Sequence, residues 1–336
     1  IPFPQDPLEQ LEAATAAVFD SWLSPRAVEY RRMHDIRDDI GTAVTVQRMV
    51  FGNAGGTSGS GVGFTRDPAT GENRMYLDFR FNSQGEDVVS GRHGANDAAR
   101  LATALPGVAG HLQSLRRTLE REFGDVQEFE FTVQDGMLWM LQTRSAKRTP
   151  WAALHIAVEQ VRSGELQPAE ALHRLDGIDL ARIERRRIEG NAACEVLSTA
   201  MPASIGVTSG TIALDSAAAQ AQQAAGRQAI LVREDTSTAD LVGIAAAAGT
   251  LTARGGRTAH AAVVARQLGR ACLVGCASMR IDMASRSVSF GSRTLREGDV
   301  ITLDCDSGRV LAGEVRMVVE RPTEWMDEIA SWNRRA

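Results

Sequence analysis

The segment Thr250-Leu-Thr-Ala-Arg-Gly-Gly-Arg-Thr-Ala-His-Ala-Ala-Val-Val-Ala-Arg266 decides the fold of the second half of the chain. A short strand ends before Gly255-Gly256, which predict a tight turn, and Thr258 is suited to be the N-cap of the helix that follows. His260 then falls in the first helical turn, where unpaired backbone N–H groups favour an anion such as a phosphoryl group on the imidazole. A histidine that only packs at a helix start fits the same spacing, so the residues alone leave both interpretations open.

Short strands and helices alternate on both sides of this segment, which predicts a compact domain of α/β to mixed β/α class. Residues 286–316 are expected to be short strands joined by glycine turns. The other predicted elements here are strands at 229–233, 250–253 and 272–275 and helices at 217–225, 239–248 and 258–268.

A glycine-rich segment marks the first half of the chain. Six of the twelve residues 52–63 are glycine, and predicted strands flank them at Ala43–Phe51 and Gly61–Arg66. Such a loop can lay backbone N–H groups against phosphates, but it matches neither a Walker A loop nor a dinucleotide fingerprint. A plain flexible hairpin explains it equally well. The remaining predictions for this half are helices at 8–33 (interrupted at Pro25) and 96–123, a turn at 67–71 and extended chain at 75–90.

Residues 127–144 predict a β-hairpin around the turn signal Asp135-Gly136. A two-residue loop would pair Glu130 with Leu141 and Phe131 with Met140, whereas a three-residue loop at 134–136 would pair Phe131 with Trp139, Phe129 with Leu141 and Glu128 with Gln142. Directly paired residues share a face of the sheet. We prefer the three-residue loop because it separates the aromatic side chains from a polar face that carries Glu128, Glu130, Gln142 and Arg144.

Residues 150–190 are predicted to be a polar, helix-rich connection between two domains. It contains the charged run Arg182-Ile-Glu-Arg-Arg-Arg-Ile-Glu189, for which we expect a solvated helix face rather than a binding patch.

Composition restricts the class of protein. Hydrophobic residues make up 43% and charged residues 24% of the 336 residues, as in an ordinary globular protein, and the net charge of −5 gives no sign of nucleic-acid binding. Four cysteines without a CxxC spacing are expected to be reduced and mostly buried. We find no apolar run of membrane-spanning length and no signal peptide, so a cytoplasmic protein is expected. Because the chain opens with Ile1, it is interpreted as a piece of something longer.

The segment from Gly255 to Gly275 resembles the swivelling phosphohistidine domain of the phosphoenolpyruvate-utilising enzymes, which include the pyruvate, phosphate dikinases. The resemblance implies that His260 accepts the phosphoryl group, with Thr258, Gly255 and Gly256 in supporting positions. The family commonly has serine in place of Ala259 and methionine in place of Arg257.

The glycine-rich segment, residues 82–91 and residues 130–144 resemble the ATP-grasp domain of the dikinases. This resemblance implies that Glu128 and Glu130 hold Mg²⁺. The residues that it implies for nucleotide binding are Gly55, Gly59, Gly61, Glu86, Gln142 and Arg144. The family usually has an acidic residue near Gly56 and an aspartate in place of Glu128.

The resemblance implies an α/β (α+β) chain with four parts: the C-terminal part of an ATP-grasp domain (1–149), a helical linker (150–195), a swivelling phosphohistidine domain (196–318) and a helical tail (319–336). The implied reaction converts ATP, phosphate and pyruvate to AMP, pyrophosphate and phosphoenolpyruvate. The barrel that binds pyruvate or phosphoenolpyruvate is expected to lie outside this chain, and a homodimer is possible. Alternatives are a phosphoenolpyruvate synthase, another phosphohistidine-dependent phosphotransferase, or a non-catalytic regulatory relative.

Overall fold

A computed structural model describes residues 3–33, 36–89, 98–190, 194–237 and 240–333, and the chain separates into two units, Ile1–Met49 and Val50–Ala336. Among the described residues, no helix combines the length and the apolar character needed to cross a membrane.

The first unit is helical, with α1 (Pro7–Ser21), α2 (Pro25–Met33) and a short 3₁₀ turn. The side chain of Asp6 accepts hydrogen bonds from the backbone N–H groups of Leu8 and Glu9, which caps α1. The predicted helices and their interruption at Pro25 are confirmed. The predicted strand at 43–51 is wrong. These residues alternate in polarity like a strand, but no neighbouring segment of the described chain forms backbone hydrogen bonds with them as a partner strand.

The second unit contains all the strands of the described chain. Its helices are α3 (Gly85–Val89), α4 (Ala98–Ala104), α5 (Pro106–Phe123), α6 (Pro150–Arg162), α7 (Pro168–Arg174), α8 (Ser216–Ala224), α9 (Leu241–Ala246), α10 (His260–Gln267) and α11 (Thr323–Asn333). Its strands are β1 (Gly59–Phe64), β2 (Tyr76–Phe81), β3 (Gln127–Gln134), β4 (Met137–Ser145), β5 (Arg185–Ile188), β6 (Val196–Thr199), β7 (Met201–Pro202), β8 (Val207–Ala213), β9 (Ala229–Arg233), β10 (Gly249–Thr252), β11 (Ala271–Val274), β12 (Met279–Asp282), β13 (Ser287–Phe290), β14 (Arg293–Arg296), β15 (Val300–Asp304), β16 (Arg309–Ala312) and β17 (Met317–Glu320).

Four antiparallel strands form the first sheet, in the order β2-β1-β3-β4. One face packs phenylalanine rings against the apolar sides of α4 and α5, with Leu101 and Leu112 fully buried. The rings lie across glycines of β1, since a Cβ on Gly61 would be 2.5 Å from Cζ of Phe131. The extended stretch predicted at 75–90 is confirmed only for β2, because the chain then turns into α3.

The predicted three-residue hairpin loop is wrong. Asp135 and Gly136 form a two-residue turn, and Phe131 pairs with Met140. A β-bulge between Glu130 and Phe131 then shifts the register by one residue, so that Glu130 pairs with Gln142 and Glu128 with Arg144. The polar side chains therefore share one face as expected, but the bulge that places them there was not predicted. The aromatic side chains are not sorted as expected: Trp139 pairs with Thr132 on the polar side.

Eight strands form the second sheet, in the order β6-β16-β15-β8-β9-β10-β11-β7, with β8 to β11 parallel. Two apolar clusters fill its faces, one of them under α8, α9 and α10. The predicted alternation of strands and helices is confirmed here. Cys272, Cys276 and Cys305 are buried and all four cysteines are unpaired, as expected.

The segment predicted as a polar linker contains an apolar core of its own. Leu154 and Val158 of α6 are fully buried, and Ile329 and Trp332 of α11 pack into the same cluster. The charged run predicted as a helix face is instead strand β5, which pairs antiparallel with β17. Strand pairing prevails because Arg185 forms a salt bridge with Glu320 across the ladder, at 3.1 Å.

Candidate active site

The polar face of the first sheet carries a compact group of charged side chains. The bulge in β3 places Glu128 opposite Arg144 and Glu130 opposite Gln142. The Arg144 guanidinium lies 2.8 Å from Glu128 Oε1 and 3.9 Å from Glu130 Oε1. We call this side of the sheet, including Tyr76 and Asp78 on β2, the carboxylate face.

The two side chains of the Glu128–Arg144 pair differ in their exposure to solvent. The Glu128 side chain is 3% exposed and the Arg144 side chain 53% exposed. The hydrogen bond to Glu128 raises the pKa of Arg144 above its usual value. A ligand approaching from solvent would therefore meet a fixed guanidinium with a carboxylate directly behind it.

Strand β2 extends the carboxylate face with a buried tyrosine–aspartate pair. Asp78 pairs with Val62 and Tyr76 with Phe64, which places both on the same side as Glu128 and Glu130. The Tyr76 hydroxyl donates to Asp78 Oδ1 at 2.7 Å. Burial raises the pKa of Asp78 and also that of Tyr76.

The loop in front of α10 lies against this face; we call residues 253–259 the histidine loop. Arg257 Nη1 is 3.2 Å from Asp67 Oδ2, and the Arg257 guanidinium lies 4.2 Å from the centre of the Tyr76 ring. A Cβ on Gly256 would be 3.1 Å from Asp78 Oδ2, so a glycine allows the loop backbone to approach this carboxylate closely.

The helix start differs from the prediction by one residue. Ala259, not Thr258, is the N-cap of α10, and it provides no side-chain hydrogen bond. Thr258 is buried, and its hydroxyl has no hydrogen-bond partner within the described residues. The predicted N-cap role of Thr258 is therefore wrong. The expectation that His260 lies in the first helical turn is confirmed for the backbone, because His260 is the first residue of α10.

A buried arginine of α10 supports the histidine loop from behind. Arg266 Nη1 donates to the carbonyl oxygen of Arg257 at 2.7 Å, and its guanidinium lies 5.4 Å from the centre of the Phe64 ring. Burial lowers the pKa of Arg266. The same side chain thus touches the histidine loop and strand β1.

The predicted phosphate-binding glycines lie elsewhere on the sheet. Gly55 has φ +126° and donates its N–H to Asn82 Oδ1 at 3.2 Å. Gly59 and Gly61 belong to β1, and their Cβ positions face the phenylalanine core. Gly59 pairs with Val133 and Phe64 with Glu128, so Gly59 and Glu128 are separated by the length of β1, roughly 17 Å at the usual strand rise.

The side chains of Glu86 and His260 lie outside the described part of the structure; their backbones belong to α3 and α10. The structure thus brings together Glu128, Glu130, Gln142 and Arg144. It places Gly256 beside Asp78 on the same face, whereas Gly255 contacts Ala259 of its own loop. Three residues of this site, Asp67, Tyr76 and Asp78, were not predicted from the sequence. Alternation of Tyr76 and Asp78 with the phenylalanines of β2 was a usable signal.

Comparisons with known proteins agree with this arrangement of parts. Residues 5–108 match the family model "Pyruvate phosphate dikinase, AMP/ATP-binding domain", and residues 225–308 match "PEP-utilising enzyme, mobile domain". The chain is 44% identical to pyruvate, phosphate dikinase of Rhizobium meliloti, over 99% of this chain and 38% of that protein. It is 43% identical to the chloroplastic enzyme of Flaveria pringlei (98% and 35%) and 42% identical to the enzyme of Clostridium symbiosum (98% and 38%).

The chain spans a little more than one third of the length of these relatives. Two family models match different parts of the chain, and the similarity to these relatives extends over nearly all of its residues. The chain belongs to the pyruvate, phosphate dikinase family of PEP-utilising enzymes.

Proposed function

We propose that this chain is the ATP-side portion of a pyruvate, phosphate dikinase and that His260 carries the phosphoryl group. The observation that supports this most directly is the position of the histidine loop against the carboxylate face, where Arg257 meets Asp67 at 3.2 Å. A phosphoryl acceptor must come within bonding distance of its donor. In this proposal residues 1–149 are the C-terminal part of an ATP-grasp domain and residues 196–318 a swivelling domain, with 150–195 and 319–336 as connection and tail.

The carboxylate face has the chemistry to hold a magnesium nucleotide. Glu128 and Glu130 offer oxygen ligands on one side of the sheet, and Mg²⁺ is commonly shared between one or two carboxylates and nucleotide phosphates. A bound Mg²⁺ would neutralise charge on the phosphates. Arg144 and Gln142 would bind phosphate oxygens or the nucleotide.

The proposed reaction proceeds in two transfers. A nitrogen of His260 attacks the β-phosphorus of ATP, the bond from that phosphorus to the oxygen bridging the α- and β-phosphates breaks, and AMP leaves with that oxygen. An oxygen of orthophosphate then attacks the terminal phosphorus, and the bond from that phosphorus to the oxygen bridging the β- and γ-phosphates breaks. Pyrophosphate leaves, and the bridging oxygen stays on the phosphohistidine. Arg144 would stabilise negative charge on the transferring oxygens.

A paired hinge supports the proposed movement of the phosphohistidine domain towards pyruvate. The segments that lead into and out of residues 196–315 are β5 and β17, and these two strands pair with each other. The helices next to this ribbon, α6 and α11, pack in one apolar cluster. The ribbon is therefore the natural place for rotation between two rigid parts.

The test is transfer of label from ATP. The full-length protein that contains this chain is incubated with Mg²⁺ and ATP labelled at the β-phosphorus, and acid-labile phosphate is measured on the polypeptide. We expect labelling of the wild type, none of His260→Asn, and normal labelling of the control His111→Asn, which changes an exposed histidine of α5. Labelling of His260→Asn at the wild-type level, or an unlabelled wild type, would overturn the proposal.

A further inference from the structure

Arg257 makes the main charged contact between the histidine loop and the first sheet. Its guanidinium is within 3.2 Å of Asp67 and 4.2 Å from the centre of the Tyr76 ring. The Arg257 side chain is 15% exposed and that of Asp67 4% exposed, so solvent screens this ion pair less than a surface pair.

Asp67 is held in place independently of Arg257. It closes the turn after β1 by accepting hydrogen bonds from the backbone N–H groups of Ala69 and Thr70, at 2.9 and 3.2 Å. The carboxylate that faces Arg257 is therefore preorganised and does not depend on the loop for its position.

Tyr76 is covered by the same contact. Its ring lies under Arg257, and its hydroxyl contacts Asp78 on its own strand and, at 3.3 Å, Sδ of Met201 in β7. If the histidine loop leaves the sheet, the Tyr76 hydroxyl becomes accessible to reagents in solution.

We propose that Arg257 is a positioning residue that latches the histidine loop to the carboxylate face through Asp67 and Tyr76, and so sets how readily the loop is released. Its part in a catalytic swing rests on the proposed function; the latch itself does not.

The chain provides a direct reporter of release, because Tyr30 and Tyr76 are its only tyrosines. Tyr30 is 54% exposed and serves as the internal reference, whereas Tyr76 is partly buried. N-acetylimidazole acetylates accessible phenols, and mass spectrometry of the two tyrosine peptides gives the Tyr76/Tyr30 rate ratio in the 336-residue chain.

We expect Arg257→Met to raise this ratio about fivefold at low salt, the size expected for loss of a partly buried cation–π contact and ion pair. Asp67→Asn keeps an oxygen for the turn amides and should raise the ratio as well, with little further increase in the double variant. Arg257→Lys should give an intermediate ratio.

Arg254→Met is the matched control, since Arg254 is exposed in the same loop and forms no ion pair within the described part of the chain. Thermal unfolding of each variant shows whether it remains folded. A ratio in Arg257→Met and Asp67→Asn equal to that of wild type and of Arg254→Met would overturn the latch. Absence of acid-labile phosphate in the labelling test would overturn the proposed function and leave the latch standing.

Discussion

The Glu128–Arg144 pair shows how one half-exposed residue can support a buried one. Glu128 is enclosed by strands β1, β3 and β4, and Arg144 provides its charged partner at 2.8 Å. A buried carboxylate that loses its partner retains the cost of leaving water, which is larger than the net gain from an ordinary hydrogen bond. The pair therefore matters for stability as well as for the proposed nucleotide site.

We predict that Arg144→Met lowers the free energy of unfolding by about 1–3 kcal/mol, because Glu128 is left buried without a charged partner. Urea denaturation gives this value. Arg121→Met is the control: Arg121 pairs with Glu122 on the surface of α5, both side chains are well exposed, and a change within about 0.5 kcal/mol is expected. Equal effects of the two substitutions would contradict the importance of burial.

Strand β1 is an element whose glycines have a packing role. The sequence analysis assigned Gly59 and Gly61 to phosphate binding, and that assignment stays a prediction. The structure supplies a separate reason for them, since the rings of Phe79 and Phe131 occupy the space that side chains would need. Glycine at positions 59 and 61 is thus needed for the packing of the phenylalanine rings, whether or not these residues also contact a nucleotide.

We predict that Gly61→Ala costs about 1–3 kcal/mol of unfolding free energy, because its Cβ would meet Phe131 and the backbone of β2. Gly110→Ala is the matched control in the interior of α5, where nothing lies within 4 Å of the new methyl group. There the same substitution should stabilise by about 0.5–1 kcal/mol, since glycine is a poor helix former. Urea midpoints that shift in the same direction for both would refute this explanation.

At the scale of the whole molecule, residues 50–336 form one compact unit in which β5 pairs with β17, and we propose that this two-stranded ribbon is a hinge. On one side lie the first sheet and the cluster of α6, α7 and α11; on the other lies the eight-stranded sheet with the histidine loop. The contacts of Arg257, Tyr76 and Arg266 join the two sides.

We predict that the isolated 336-residue chain forms no phosphoenolpyruvate from pyruvate, ATP and phosphate, since it spans only 35–38% of its relatives and the delivery site is proposed to lie in the remainder. Carbon-13 NMR of labelled pyruvate with Mg²⁺, ATP and the chain tests this directly. Formation of labelled phosphoenolpyruvate that requires the chain would show that the delivery site is contained within these residues.

The sequence by itself determined most of the elements and the group of polar residues on β3 and β4. Periodicity identified the helices and strands, because buried faces need regular apolar spacing. The resemblance over the His260 segment then identified the family. These features are local, since they depend on residues within one or two turns of helix or along one strand.

Only the tertiary structure decided the features that depend on contacts between distant segments. The bulge that sets Glu128 opposite Arg144 follows from the fit of three strands, and β5 became a strand because β17, about 130 residues later, pairs with it. Arg257 forms an ion pair with Asp67, which lies 190 residues earlier in the sequence. No local pattern encodes such pairings, because the free energy that selects them comes from burial and charge brought together by the completed fold.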